Sequence, residues 1–189
     1  MIEVRDVVKE FDGFRALDGL SLTVPKGAVY GMVGPNGAGK STIIRHLTGI
    51  YRQDSGTITI DGQPVFENPA IKERIAYIPD DIHYFSNATI KETMQYYKSI
   101  YPKFDDARFN KLGEVFELDQ RRQMRRLSKG MQKQAAFWIA VSMRPDIMIL
   151  DEPVDAKFIR VELKDNFCNG EIPWDETNEL KLFPEVTTL

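Results

Sequence analysis

Apolar and polar residues alternate at the start of the chain. Ile2 and Val4, then Leu20, Leu22 and Val24, fall on one face with polar residues between them, which predicts β-structure. Pro25-Lys26-Gly27 reads as a turn feeding the next segment. Ala28 to Val33 follows as a short apolar strand, and Ser41 to Leu47 as a helix that Gly49 stops. Thr57-Ile58-Thr59-Ile60, Asp61-Gly62 and Val65-Phe66 together predict a hairpin with a D-G turn. Ile75-Ala76-Tyr77-Ile78 is a further short strand, ended by Pro79.

The middle of the chain changes to a helical period. Thr89-Ile90-Lys91-Glu92 has the S/T-x-x-E form of a capping box and opens a helix to about Tyr101. Ile90, Met94, Tyr97 and Tyr101 share one stripe, which reads as core. Phe109, Leu112 and Phe116 predict a second helix. Lys129 to Met143 predicts a third, carrying Ala135, Ala136, Ile139, Ala140 and Met143. Ile147-Met148-Ile149-Leu150 is then a buried strand running into Asp151-Glu152-Pro153. Beyond Asp155 the pattern weakens, although Lys157 to Lys164 alternates like a strand.

Composition narrows the class. The 189 residues are 42% hydrophobic and 28% charged, ordinary for a soluble globular α/β domain with a sizeable core. A formal net charge of -3 argues against general nucleic-acid affinity. Arg121-Arg122 with Arg125-Arg126 is the basic cluster, and a solvated helix face accounts for it. Cys168, the one cysteine, cannot form an internal disulfide and points to a reducing compartment. The N-terminus lacks a signal-peptide pattern, and the longest apolar run, Ala135 to Val141, is too short to span a bilayer. Any membrane association is therefore expected through a partner.

The chemistry concentrates in three places. Gly34-Pro35-Asn36-Gly37-Ala38-Gly39-Lys40-Ser41-Thr42 fills every fixed position of the phosphate-binding pattern G-x-x-x-x-G-K-[ST], between an apolar strand and a helix. Glycines let successive N–H groups turn toward an anion, and the helix N-terminus adds unsatisfied donors. Lys40 is spaced to reach β- and γ-phosphates, and the Ser41 hydroxyl to ligate Mg²⁺. Asp151-Glu152 ends a buried strand, where an aspartate can hold Mg²⁺ and a glutamate can act as a general base. Leu127-Ser128-Lys129-Gly130-Met131-Gln132 precedes the third helix: Ser128 reads as its N-cap, and with Gly130 as a second anion site.

In this order and spacing, the three segments resemble the nucleotide-binding domain of ATP-binding cassette (ABC) ATPases over residues 1 to about 155. Gly34 to Thr42 corresponds to Walker A and Ile147 to Glu152 to Walker B with its catalytic glutamate. Leu127 to Met131 corresponds to the LSGGQ signature, with Lys129 and Met131 replacing a glycine and the glutamine. Phe11, upstream of Walker A, matches the aromatic residue that stacks on adenine, a contact worth about 1–3 kcal/mol by analogy with base-stacking platforms.

The resemblance implies an α/β fold: a P-loop NTPase core with a mixed sheet, an N-terminal antiparallel β-subdomain and a helical subdomain at about 85–145. It implies ATP and Mg²⁺ as ligands, Glu152 and Lys40 as catalytic residues, and Ser41, Asp151 and Asp80 at the metal. It also implies a second nucleotide-binding subunit, the same or different, facing this one head to tail, so that Ser128 and Gly130 serve the partner's nucleotide. Transmembrane permease subunits complete the expected assembly, which places this chain in the cytoplasm, peripheral on the inner face of the cell membrane.

Two departures qualify the match. Asp80 stands where the family usually has a glutamine. Beside the γ-phosphate an unneutralised carboxylate is repelled by ~3 kcal/mol per unit charge at about 6 Å and an effective dielectric near 20, so Asp80 is expected to act near the metal or to point away. From Ala156 onward the family's D-loop, helix, strand and switch histidine are not found. Neither of the two histidines, His46 and His83, stands at the position of the switch histidine. Residues 156–189 read as a divergent tail in a chain shorter than a typical cassette, through deletion or replacement. Two alternatives to a hydrolysing transporter subunit stay open: a cassette that binds ATP but turns it over poorly, and a soluble ABC protein acting on ribosome or nucleic acid.

Overall fold

The computed structural model describes residues 1–85, 87–151 and 186–188. β1 (Ile2–Phe11) and β2 (Phe14–Val24) pair antiparallel through Asp12-Gly13, both with positive φ, 47° and 81°. That pair of left-handed residues gives a two-residue turn whose twist matches the strands it joins. Period-two alternation buries Ile2 and Val4 of β1, and an irregularity between Val4 and Val7 brings Val7 inward as well, with Leu17 and Leu22 of β2 also buried. β4 (Ser55–Ile60) lies along the other edge of β1, with Val4 opposite Ile58 and Ile2 opposite Ile60. β5 (Gln63–Pro64) completes a four-stranded antiparallel sheet of order β2-β1-β4-β5.

The D-G turn is as the sequence predicts, with Asp61 and Gly62 at φ 50° and 78°. The strand after it lies two residues earlier than Val65-Phe66. Pairing stops at Pro64, which has no N–H to donate. Val65 still turns inward, 1% exposed, and its N–H reaches the Ile58 carbonyl at 3.3 Å.

β3 is shorter than the apolar run from Ala28. It covers Gly31–Val33, matched by three residues of a parallel partner, β8 (Val186–Thr188). α1 (Lys40–Leu47) leaves the loop after β3 and buries Ile43, Ile44, His46 and Leu47. It closes with two nested bonds, Gly49 N–H to His46 O at 2.9 Å and Ile50 N–H to Arg45 O at 2.8 Å, around Gly49 at φ 68°. This is the paired arrangement that satisfies the last carbonyls of a helix, and it explains the stop at Gly49. The short α2 (Pro69–Lys72) buries Ile71.

Contacts divide the chain into two compact units. The first holds Met1–Lys72 with β8, and the second begins at Glu73. In the second, β6 (Ile75–Ile78) and β7 (Ile147–Leu150) run parallel and in register. Three helices share their core: α3 (Ile90–Ile100), α4 (Asp106–Phe116) and α5 (Lys129–Ser142). The Thr89–Glu92 capping box forms in full, and Asp105 caps α4 by accepting the Arg108 N–H at 2.9 Å.

The core of this unit centres on Trp138, fully buried and stacked on Phe109 at 4.3 Å and 9°. Its indole N–H donates to the Phe109 carbonyl at 2.7 Å, so the one polar atom of the ring is satisfied. Gly113 makes the approach of α4 to α5 possible. A Cβ there would stand 2.9 Å from Trp138 Cζ2.

Candidate functional site

The phosphate loop spans the gap from the end of β3 to the first turn of α1. Gly37 and Gly39 take φ 86° and 87°, a region costly to any residue with a Cβ. Gly39 has a second constraint. A Cβ there would lie 2.7 Å from the Ala16 carbonyl oxygen and 3.0 Å from Leu17 Cδ2, so the loop rests directly on β2. A cradle this tight admits only glycine. Ala38 N–H reaches Pro35 O at 3.2 Å, which closes the loop into a turn.

The end of α1 that faces out of this loop is open. Gly39, its N-cap, offers no side-chain acceptor, and the first turn holds no acidic residue. The orphan N–H groups and the positive dipole end are therefore left without neutralisation from the helix itself, about 0.3–2 kcal/mol toward a nearby anion. Lys40 Nζ donates to the carbonyls of Gly34 at 2.6 Å and Pro35 at 2.7 Å. The ammonium thus folds back on its own loop. Ser41 is exposed and Thr42 half-buried beside it. The residues present fit a bound triphosphate by backbone shape, by charge and by donor supply.

Phe11 ends β1 across the hairpin tip from Phe14, and both rings are exposed, 38% and 66%. Lys9 Nζ sits over the Phe11 ring at 5.2 Å, and Tyr51 meets the ring edge-on at 5.4 Å and 62°. Tyr51 carries no motif of its own, and sequence reading passes it over. Its only signal is an aromatic residue placed just after the helix stop at Gly49.

The remaining candidates lie in the second unit. Asp151 is 9% exposed at the end of β7, and its N–H donates to Ile78 O at 3.0 Å. Asp80 follows β6, so the two carboxylates leave the carboxyl ends of adjacent parallel strands, where α/β sheets hold ligands. Asp80 accepts from Lys133 Nζ at 2.9 Å, a partner on α5 that no local pattern announces. Glu152 lies outside the described residues, as do Lys157 to Lys164 and Cys168.

Ser128 is the N-cap of α5, its Oγ accepting the Met131 N–H at 3.3 Å. Gln132 Nε2 donates to the carbonyls of Met124 and Leu127, both at 3.2 Å, which fixes the chain entering the helix. Ser128, Lys129 and Gly130 are exposed, and nothing lies within 4 Å of a Cβ built on Gly130. A shallow cavity of about 440 Å³ nearby is lined by Arg121, Arg122, Gln123 and Arg126.

The family described as ABC transporter matches residues 17–155. The ABC transporter ATP-binding protein YtrB of Bacillus subtilis is 37% identical over 155 residues, covering 82% of this chain and 53% of its own. The chain spans about half the length of the curated relatives it matches. A solved ATP-binding subunit of an ABC transporter superposes with a TM-score of 0.78 at 26% identity, covering 88% of this chain and 73% of its own. A dimeric ATP-binding cassette in a post-hydrolysis state, bound to ADP and Pi, shares the fold with a TM-score of 0.76 at 20% identity, covering 89% and 84%.

Proposed function

The chain belongs to the ABC transporter family, and from that premise we propose that it is a transporter's ATP-binding subunit, hydrolysing ATP to drive transport through separate transmembrane permease subunits. The observation that carries the reading is the phosphate loop: Gly39 with no room for a Cβ against Ala16, leading into an uncapped helix N-terminus.

In this reading Gly34 to Thr42 hold the phosphates through backbone N–H groups. Lys40 exchanges the Gly34 and Pro35 carbonyls for β- and γ-phosphate oxygens, stronger acceptors because they are charged. Phe11 stacks on adenine. Ser41, Asp151 and Asp80 would hold Mg²⁺, which would supply positive charge against the phosphates. Glu152 takes the proton of the attacking water. Ser128 and Gly130, exposed at the start of α5, serve the nucleotide held by a second cassette. That arrangement is in keeping with a related fold that is dimeric and bound to ADP and Pi.

Among the described residues no helix is long and apolar enough to cross a membrane. In this reading the permease is a separate partner, and the subunit works on the cytoplasmic side, peripheral to the membrane. Phe85, Tyr96 and Ile100, exposed at 60%, 44% and 50% on and before α3, supply an apolar surface for that contact.

ATP binding and turnover, measured on wild type, Lys40→Ala and Glu152→Gln, test the reading. Lys40→Ala is expected to lose binding. Glu152→Gln is expected to keep binding and to lose about 10²–10⁴-fold in turnover. Equally slow turnover in wild type and Glu152→Gln, with ATP bound by both, makes this chain a binding cassette and rejects hydrolysis.

A further inference from the structure

The first unit carries an aromatic arrangement that the phosphate loop does not require. Tyr51 follows the end of α1, and its backbone N–H is held by the Arg45 carbonyl at 3.1 Å. Its ring makes a T-shaped contact with His46 at 5.7 Å and 72°, and the Arg45 guanidinium lies over it at 5.8 Å. Its third neighbour is Phe11, at 5.4 Å.

His46 is 1% exposed and is itself fixed. Its Nδ1 donates to the Thr42 carbonyl at 2.7 Å, so the ring is pinned to the same turn of α1 that closes the phosphate loop. Tyr51 is thus held from behind by α1, through backbone, cation and buried imidazole. Phe11 is held by little else. It ends a strand, is 38% exposed, and has Lys9 over its ring. An exposed ring at a hairpin tip has two freely rotating χ angles, and a stacking platform that must first be ordered binds more weakly.

We propose that Tyr51 is a positioning residue for adenine recognition: it braces Phe11 edge-on and so ties the base platform to the helix that begins at Lys40. The inference rests on the reading of Phe11 as the residue that stacks on the base. The inclined contact suits this role because it does not lay Tyr51 flat over Phe11, whose ring then exchanges only the Lys9 ammonium for a base. Aliphatic residues of similar size fill the space beside Phe11 but do not hold its ring angle. Phenylalanine at position 51 keeps the ring contact and loses the hydroxyl with its long, 3.4 Å bond from Arg45 Nη1.

The test is calorimetric titration with two probes, MgATP and inorganic tripolyphosphate, on wild type, Phe11→Ala, Tyr51→Leu, Tyr51→Met and Tyr51→Phe. Tripolyphosphate reports the phosphate loop without a base. Both aliphatic variants at 51 are expected to weaken MgATP about threefold to tenfold, the range for losing one aromatic pair. Tripolyphosphate affinity stays at the wild-type value, and Tyr51→Phe restores MgATP affinity. Wild-type MgATP affinity in the aliphatic variants, with weaker binding by Phe11→Ala, overturns the brace and leaves the stacking role intact. Parallel loss of both probes also overturns it, since Tyr51 then acts only through the shape of α1. Unchanged MgATP affinity in Phe11→Ala rejects the stacking role and the brace with it. The two aliphatic variants differ in shape, so the comparison survives the failure of either one to fold.

Discussion

Lys133 donates to the carboxylate of Asp80 at 2.9 Å, joining the helix that follows Ser128 to the end of β6. The Asp80 side chain is 56% exposed and that of Lys133 20%, so the pair contributes about 0.2–1 kcal/mol and opens readily. A carboxylate proposed to serve Mg²⁺ is therefore shared with an ammonium. Asp80→Asn is expected to raise the Mg²⁺ concentration needed for half-maximal ATP turnover. Lys133→Met is expected to lower it, because the competing cation is gone. A metal titration of both variants checks this, and curves superimposed on wild type reject Asp80 as a metal-associated group.

Two glycines of the phosphate loop separate backbone strain from steric contact. Gly37 and Gly39 share almost the same φ, but nothing lies within 4 Å of a Cβ on Gly37, whereas one on Gly39 would strike the Ala16 carbonyl. Gly37→Ala is expected to cost about 1–2 kcal/mol from the left-handed backbone alone. Gly39→Ala adds an overpacking cost of about 1–3 kcal/mol and pushes the loop off β2. Chemical denaturation midpoints give the difference, and the nucleotide affinity of Gly39→Ala should fall further than that of Gly37→Ala.

A similar contact governs the second unit. Gly113 lies inside α4, where alanine would gain about 1 kcal/mol in helix propensity. Its Cβ would meet Trp138, which is fully buried, stacked on Phe109 and hydrogen-bonded, and so has nowhere to move. Gly113→Ala is therefore expected to destabilise by about 1–3 kcal/mol despite the propensity. Thermal melting checks the sign. A stabilised variant means that α4 and α5 can separate slightly at no cost.

What could be read beforehand follows the range of the interactions. The phosphate loop, the Thr89–Glu92 capping box, the stop at Gly49 and the Asp61-Gly62 turn are each set by residues a few positions apart, and local backbone chemistry identifies them. The brace of Tyr51 on Phe11 and the bond of Lys133 to Asp80 join segments that meet only in the folded chain. No periodicity or cap announces such pairs. The length of β3 was equally hidden, because it depends on how many residues of its partner pair with it rather than on the apolar run from Ala28.

The buried imidazole of His46 sets a pH dependence. Its Nδ1 donates to the Thr42 carbonyl, and Nε2 is buried without a well-formed hydrogen bond, the Arg52 carbonyl being close to the ring. Burial holds its pKa below the ordinary value of 6.5, and nearby Lys9 acts in the same direction. The Thr42 and Arg52 carbonyls and Asp54 oppose the shift in part. Below pH 6.5 the unfolded chain consequently binds more protons at this site than the folded one, and stability must rise with pH there. The contribution is complete above that value and is lost as the pH falls through the lowered folded-state pKa. Melting temperature is therefore expected to decline on acidification from neutral, before the carboxylates protonate. His46→Leu, which places an apolar side chain of similar reach in the same site, should flatten that part of the profile. An equal slope in wild type and His46→Leu assigns the acid sensitivity to the carboxylates instead.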